Sequence, residues 1–153
     1  MPIILEPVGI VRGGRVEAED DGWGAVEAEI VLDPARVSPD STLGLASYSH
    51  VTVLFHMHKV AEEKVERGAR HPREREDWPK VGIFAQPARS RPNRIGVTTC
   101  ELLAVDGLTL RVRGLDAIDG TPVIDIKPTI TGFAPRRPVR EPDWVRELMA
   151  RYW

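Results

Sequence analysis

Cysteine is nearly absent from this chain: Cys100 is the only one in 153 residues, so no internal disulfide can form. Long apolar runs are missing too. Nothing approaches the ~18 residues that a membrane-spanning helix needs. The opening Met1-Pro2-Ile3-Ile4-Leu5-Glu6 has neither a basic start nor an apolar stretch of signal-peptide length. These absences predict a cytoplasmic protein. An excess of charge of one sign is also missing: 21 basic residues face 23 acidic ones, for a net charge of -2. That argues against capture of nucleic acid by the whole domain, which calls for a clearly basic surface, and leaves room only for a local basic patch. No Gly-x-Gly-x-x-Gly stands between a strand and a helix, so a Rossmann cofactor site is not supported. No internal repeat is visible.

Thirteen glycines and thirteen prolines break the chain often. That suits short strands and turns better than long helices. Residues 3–12 read as a first strand. Over residues 25–32, Val26, Ala28, Ile30 and Leu32 share one face while Glu27 and Glu29 share the other, the period of a half-buried strand. Residues 49–58 read as a central strand. Residues 59–80 contrast with it: thirteen of the 22 are Lys, Arg, Asp or Glu, which predicts an exposed loop with two helical turns over 60–67. A short strand is expected over 81–85. Two more flank the Asp106-Gly107 hairpin signal, over 95–105 and 108–115. Another follows the Asp119-Gly120 turn, over 122–126. Pro142 opens a final helix with Trp144, Leu148 and Tyr152 on one stripe. About seven short strands and one terminal helix, with no alternation of strand and helix, predict a mainly β fold: one antiparallel β-barrel domain over 1–153.

Two segments carry chemistry beyond scaffold. In the first, residues 82–96, a strand runs into a loop with Arg89, Arg91, Arg94 and Asn93, stiffened by Pro87 and Pro92. Arginine forks onto a carboxylate or phosphate, and asparagine donates and accepts. Such a loop is either a grip for a small anionic or zwitterionic ligand or an ordinary charged turn. In the second, residues 115–128, Asp125 and Lys127 stand two apart on a strand and share a face. They form either a pocket wall with matched charges or an ion pair facing solvent. His50, His56 and His58 also have even spacing. His50 lies roughly 20 Å along the strand from His56 at ~3.3 Å per residue, so only His56 and His58 could chelate together, and no metal is expected. Cys100, mid-strand, reads as a buried and inert residue. Arg136, Arg137 and Arg140 could join the loop arginines in a phosphate-facing patch.

Taken together, the segments Arg91-Pro92-Asn93-Arg94-Ile95-Gly96 and Asp119-Gly120-Thr121-Pro122-Val123-Ile124-Asp125-Ile126-Lys127-Pro128 resemble the TrmO (TsaA-like) family. Two further matches are Gly44-Leu45-Ala46-Ser47-Tyr48-Ser49-His50-Val51 and Glu6-Pro7-Val8-Gly9-Ile10-Val11. All occur in family order from residue 6 to residue 128. The resemblance implies a single-sheeted β-barrel methyltransferase that uses S-adenosylmethionine, works as a homodimer with the cofactor near the subunit interface, and methylates N6 of threonylcarbamoyladenosine in tRNA. It implies a cofactor site among His58, Lys59, Gln86, Pro87, Arg91, Asn93, Ile95, Gly96, Val97, Asp119, Gly120, Thr121 and Pro122. It implies a reaction centre at or near Asp125, Lys127 and Pro128. Trp23, between Gly22 and Gly24, reads from its context as an exposed residue covering the site, and Trp23, Arg89, Arg94 and Pro128 are the expected substrate contacts. The chain departs from the family pattern where Pro87 replaces an arginine, Arg94 a proline and Thr129 an aromatic residue, and it resembles a short form without the extra C-terminal domain. Methyl transfer to another acceptor, or cofactor binding without turnover, are the alternative readings.

Overall fold

The computed structural model describes residues 1–153. Eight strands form: β1 (Gly9–Arg12), β2 (Glu27–Leu32), β3 (His50–His56), β4 (Ala69–Arg70), β5 (Val81–Gly82), β6 (Ile95–Asp106), β7 (Thr109–Arg113) and β8 (Pro122–Pro128). One helix follows, α1 (Asp143–Met149). Six strands close an antiparallel barrel in the order β1-β2-β7-β6-β3-β8, with β8 returning to β1 through Gly9 opposite Val123 and Ile10 opposite Pro122. The remaining pair, β4 and β5, makes a separate two-stranded ribbon.

Alternation in sequence becomes alternation in burial. On β2, Ala28, Ile30 and Leu32 point inward; on β3, Val51, Val53 and Phe55 do so. Their partners Leu110, Val112 and Cys100 complete the interior with Val11 and Val123. Each fully buried aliphatic side chain of this kind contributes about 2 kcal/mol through surface removed from water. Two close approaches require glycine. A Cβ at Gly9 would lie 2.5 Å from the Val31 carbonyl oxygen, and the Phe55 ring fills the space beside Gly96. Single-residue bulges bend two strands, at Ile124 in β8 and Leu103 in β6, where the register shifts against β3 and β7.

The structure corrects several expected boundaries. The first strand spans Gly9–Arg12 rather than 3–12, because β2 ends at Leu32 opposite Gly9. Asp33 N–H still bonds to the Val8 carbonyl, but the chain then turns at Pro34 and leaves nothing for residues 3–7 to pair with. The two helical turns expected over 60–67 shrink to one 3-10 turn, Glu62–Lys64. Gly82 ends β5, and Ile83–Ala85 curl into another 3-10 turn. The charged run 59–80, expected to be exposed throughout, buries Pro72 and Trp78. Trp78 packs on Trp144 (ring centroids 6.1 Å apart) and Leu148, donates its indole N–H to Glu147 Oε2 at 2.7 Å, and carries the Arg75 guanidinium over its ring at 4.0 Å. The loop therefore fastens α1 to the rest of the molecule. Tyr152 lies beyond the helix, and that segment is held to the loop after β1: Trp23 N–H bonds to the Tyr152 carbonyl and Gly22 N–H to that of Arg151. Trp23, read from its neighbouring glycines as a cover over the site, is 2% exposed. It lies beneath the Arg15 guanidinium and donates its indole N–H to the Glu19 carbonyl.

Candidate active site

A cleft of about 870 Å³ opens at the end of the barrel where β3 finishes and β6 begins. Met57 and His58 leave β3 into it, and Ile95 to Thr98 enter β6 from it. Three loops surround it: residues 17–20, 70–74 and 86–91. Tyr152 and Leu148 add a wall from the C-terminal segment, and Asp116 to Ile118 add one from the connection after β7.

The polar atoms of this cleft are unlike those of the barrel. Three buried side-chain atoms have no hydrogen-bond partner anywhere in the molecule: His58 Nδ1, Arg70 Nε and Gln86 Oε1. All three residues line the cleft. A buried, unpaired polar atom costs roughly 1–3 kcal/mol, so three in one cavity mark a place built for a polar ligand. Gln86 is 5% exposed, and its Nε2 donates to the carbonyls of Arg70 and Val81, each at 3.1 Å. Those bonds tie the segment after β5 back to both strands of the ribbon and fix the amide, leaving its oxygen as the free acceptor.

The other charged groups are mostly engaged. Arg91 Nη1 donates to the carbonyls of Gln86 (2.9 Å) and Ala88 (3.3 Å), bracing the loop from within. Arg89 donates to the Ala18 carbonyl at 2.7 Å, joining the two loops across the cleft. Arg73 forks onto Asp21 at 3.0 and 3.3 Å. Asp116 accepts from the Thr98 hydroxyl at Oδ1 and from the Tyr152 hydroxyl at Oδ2. Burial and the Asp116 carboxylate push the Tyr152 phenol far above its ordinary range. Burial, with Asp116 and Glu101 adding to it, pushes the Cys100 thiol up to about 12, so Cys100 is not a nucleophile at neutral pH. Burial holds His56 below its ordinary value, and Arg94 and His58 lower it further.

Of the residues expected at the site, the cleft gathers Trp23, His58, Lys59, Gln86, Pro87, Arg89, Arg91, Ile95, Gly96, Val97 and Thr121. It does not gather the others within one chain. Asn93 and Arg94 adopt left-handed backbone (φ 64° and 50°) and shape the loop from outside. Arg94 donates to the Val60 carbonyl and pairs with Glu62 at 3.1 Å. Asp119 accepts from Gly13 N–H at 2.8 Å. Gly120, at φ 82°, sits against the far side of His58, where an added Cβ would lie 3.9 Å from Nε2. Pro122 pairs with Ile10 at the barrel seam. Asp125 and Lys127 do share a face, with Lys127 Nζ 2.7 Å from Asp125 Oδ2, but it is the outer face of the barrel. Pro128, opposite Val51, ends the same strand outside the cleft.

The outer face is nevertheless continuous with the cleft. Val97, Leu54 and Asp125 form one cross-strand row over β6, β3 and β8. At ~4.8 Å between strands, Asp125 lies roughly 10 Å along that row from Val97 on the cleft rim.

Among the cleft residues that sequence left unassigned are Arg70, Thr98, Asp116 and Tyr152. Arg70 is one charge among thirteen in its segment and carries no individual signal. Asp116 does carry one: it is a lone carboxylate within Leu115-Asp116-Ala117-Ile118, whose other members are all buried. No three or more His, Cys, Asp or Glu side chains converge anywhere in the chain as a metal set.

Comparison with known proteins supplies a family context for this cleft. A family model described as the tRNA-methyltransferase O N-terminal domain matches residues 19–134. A probable S-adenosyl-L-methionine-binding protein of Methanothermobacter thermautotrophicus is 43% identical over 132 residues, covering 84% of this chain and 90% of its own. The tRNA (adenine(37)-N6)-methyltransferase of Escherichia coli is 39% identical over 133 residues, covering 81% of this chain and 56% of its own. The crystal structure of TrmO from Pseudomonas aeruginosa superposes with a TM-score of 0.74 at 27% identity, over 92% of this chain and 62% of that one. The chain thus spans less than two thirds of the length of the latter two proteins.

Proposed function

The chain belongs to the tRNA-methyltransferase O N-terminal-domain family, and from that premise we propose that it binds S-adenosylmethionine in the cleft at the barrel end and transfers the methyl group to N6 of threonylcarbamoyladenosine in tRNA. The observation that carries this reading is the set of unpaired buried atoms at His58, Arg70 and Gln86. They offer a cationic donor, an amide acceptor and an imidazole in one cavity. That set suits a ligand with a carboxylate, an amine and a hydrogen-bonding purine edge. The names of several relatives, among them S-adenosyl-L-methionine-binding proteins and methyltransferases, agree with it.

The bound cofactor supplies a methyl group on a positively charged sulfur, electrophilic without further activation. The residues of the chain therefore have no nucleophile to provide. Arg70 presents its guanidinium to a carboxylate. Gln86 accepts a hydrogen bond from an amine. Gly96 and Val97 present backbone and an apolar rim against which a flat ring can lie, and Trp23 and Phe55 exclude water beneath. Holding both reactants in line is the main catalytic device, worth up to roughly 7–11 kcal/mol of barrier when alignment is tight.

Asp125 and Lys127 enter this scheme through assembly. We place the homodimer contact on the outer face of β6, β3 and β8, where Val97, at 64% exposure, stands in one row with Leu54 and Asp125. A second copy seated there would bring the Asp125–Lys127 pair against a neighbouring cleft and remove it from water. The pair would then meet the acceptor base, and Asp125 would accept the proton that the methylated amine sheds. The outward direction of that pair within one chain also favours a second reading, cofactor binding without transfer.

The test is transfer of radiolabelled methyl from S-adenosylmethionine to tRNA that contains threonylcarbamoyladenosine, with the same tRNA lacking that modification as control. Label in the modified tRNA alone supports the proposal. Saturable cofactor binding with no label in either tRNA would replace it with the binding-module reading.

A further inference from the structure

Asp116 is a carboxylate on the cleft wall that forms no salt bridge. Its two oxygens offer about four acceptor sites, and only two are taken, by the hydroxyls of Thr98 and Tyr152. The neighbouring arginines are occupied elsewhere: Arg73 by Asp21, Arg89 by Ala18 and Asp20, Arg91 by the carbonyls of its own loop. Asp116 is half-buried, and a charge partly withdrawn from water is stabilised when a group of opposite sign completes its shell.

Anchoring the C-terminal segment does not account for the arrangement. That segment is already tied by two backbone hydrogen bonds to Gly22 and Trp23, and by Trp144 and Leu148 packed on Trp78. What the two hydroxyls do is fix the carboxylate from both sides, one from β6 and one from beyond α1. A charge held in place before its ligand arrives has no reorganisation left to undergo. The cleft thus has a negative group on one wall, Asp116, and unpaired positive and amide groups at Arg70 and Gln86.

We propose that Asp116, oriented by Thr98 and Tyr152, is the anionic seat for a positively charged group of the ligand in this cleft. The inference rests on the reading of that ligand as S-adenosylmethionine, whose cations are its α-ammonium and its sulfonium.

Calorimetric titration of Asp116→Asn and the wild type with three nucleosides tests it. S-adenosylmethionine carries both cations, S-adenosylhomocysteine only the ammonium, and 5′-methylthioadenosine neither. The expected result is a loss of at least about tenfold in affinity for S-adenosylmethionine, with 5′-methylthioadenosine unchanged within about twofold. If S-adenosylhomocysteine falls with S-adenosylmethionine, the seat holds the ammonium; if it behaves like 5′-methylthioadenosine, the seat holds the sulfonium. Equal losses for all three, or no loss for any, would overturn the proposal. Tyr152→Phe keeps the charge but frees the carboxylate. It is expected to weaken S-adenosylmethionine by about threefold and leave 5′-methylthioadenosine unchanged, with S-adenosylhomocysteine again telling ammonium from sulfonium, and it decides the matter in the same way if Asp116→Asn does not fold. A wild type that binds 5′-methylthioadenosine but not S-adenosylmethionine would remove the wider reading and this one with it.

Discussion

Strand β6 passes through two regions that treat polar atoms in opposite ways. In its middle, Cys100 points into an interior filled by Val51, Val53, Leu110 and Val112, where no side chain needs a polar partner. At its start, Gly96 and Thr98 face the cleft, where Thr98 serves a carboxylate and three nearby side chains hold unpaired polar atoms. The barrel interior is complete in itself. The cleft is complete only with something in it. Stability is thus concentrated in one half of the molecule and recognition in the other, and substitutions in the two halves should have separable effects.

The largest effect is expected from Leu110→Ala, which empties space at a fully buried position and should cost about 3 kcal/mol of stability. Chemical denaturation checks this, and the folded fraction should bind cofactor as the wild type does. A parallel loss of intrinsic affinity would break the separation. Arg70→Met comes next. It removes the unpaired guanidinium and keeps much of the apolar stem, so affinity for S-adenosylmethionine should drop about tenfold while the melting temperature stays within error or rises.

A smaller effect concerns pH. His56 titrates below its ordinary value in the folded chain, so the unfolded chain binds its proton first as pH falls. The stability contributed by neutral His56 is present above the ordinary imidazole range and is lost as pH drops through the lowered folded value. Melting curves of His56→Gln should therefore show a shallower decline toward acid than the wild type, with the two converging near neutrality. Cys100 should resist alkylation at pH 8 in the native protein and react only after unfolding, because burial holds the thiol near 12. The smallest effect belongs to the outer surface. Arg113→Gln breaks exposed pairs with Glu27 and Glu101, and the melting temperature should not move.

The same division explains what could be read from sequence. The barrel strands were legible because alternation is local: Ala28, Ile30 and Leu32 sit two apart whatever else the chain does. The Asp106-Gly107 hairpin was legible because Gly107 adopts φ 58°, which glycine allows at no steric cost. The wall around Gln86 and Arg91 stood out in sequence as a proline-stiffened arginine loop, but family resemblance was needed to choose a ligand grip over an ordinary charged turn. Arg70 and Tyr152 were not legible at all, since they reach the cleft from a two-residue strand and from the residues after α1, and only tertiary packing brings them together. Trp78 was hidden for a related reason. Its burial depends on α1, more than sixty residues later, and no local pattern in a run of charges announces it.

The unpaired atoms of the cleft are the groups expected to meet the cofactor. Side-chain amide and guanidinium NMR signals report on Gln86 and Arg70 individually. Titration with S-adenosylmethionine is expected to shift the Gln86 amide and the Arg70 Nε–H, and to leave the methyl signals of Leu110 and Val112 where they were. Saturable binding that leaves Gln86 and Arg70 unmoved, with the changes confined to the outer face around Asp125 and Lys127, would contradict it.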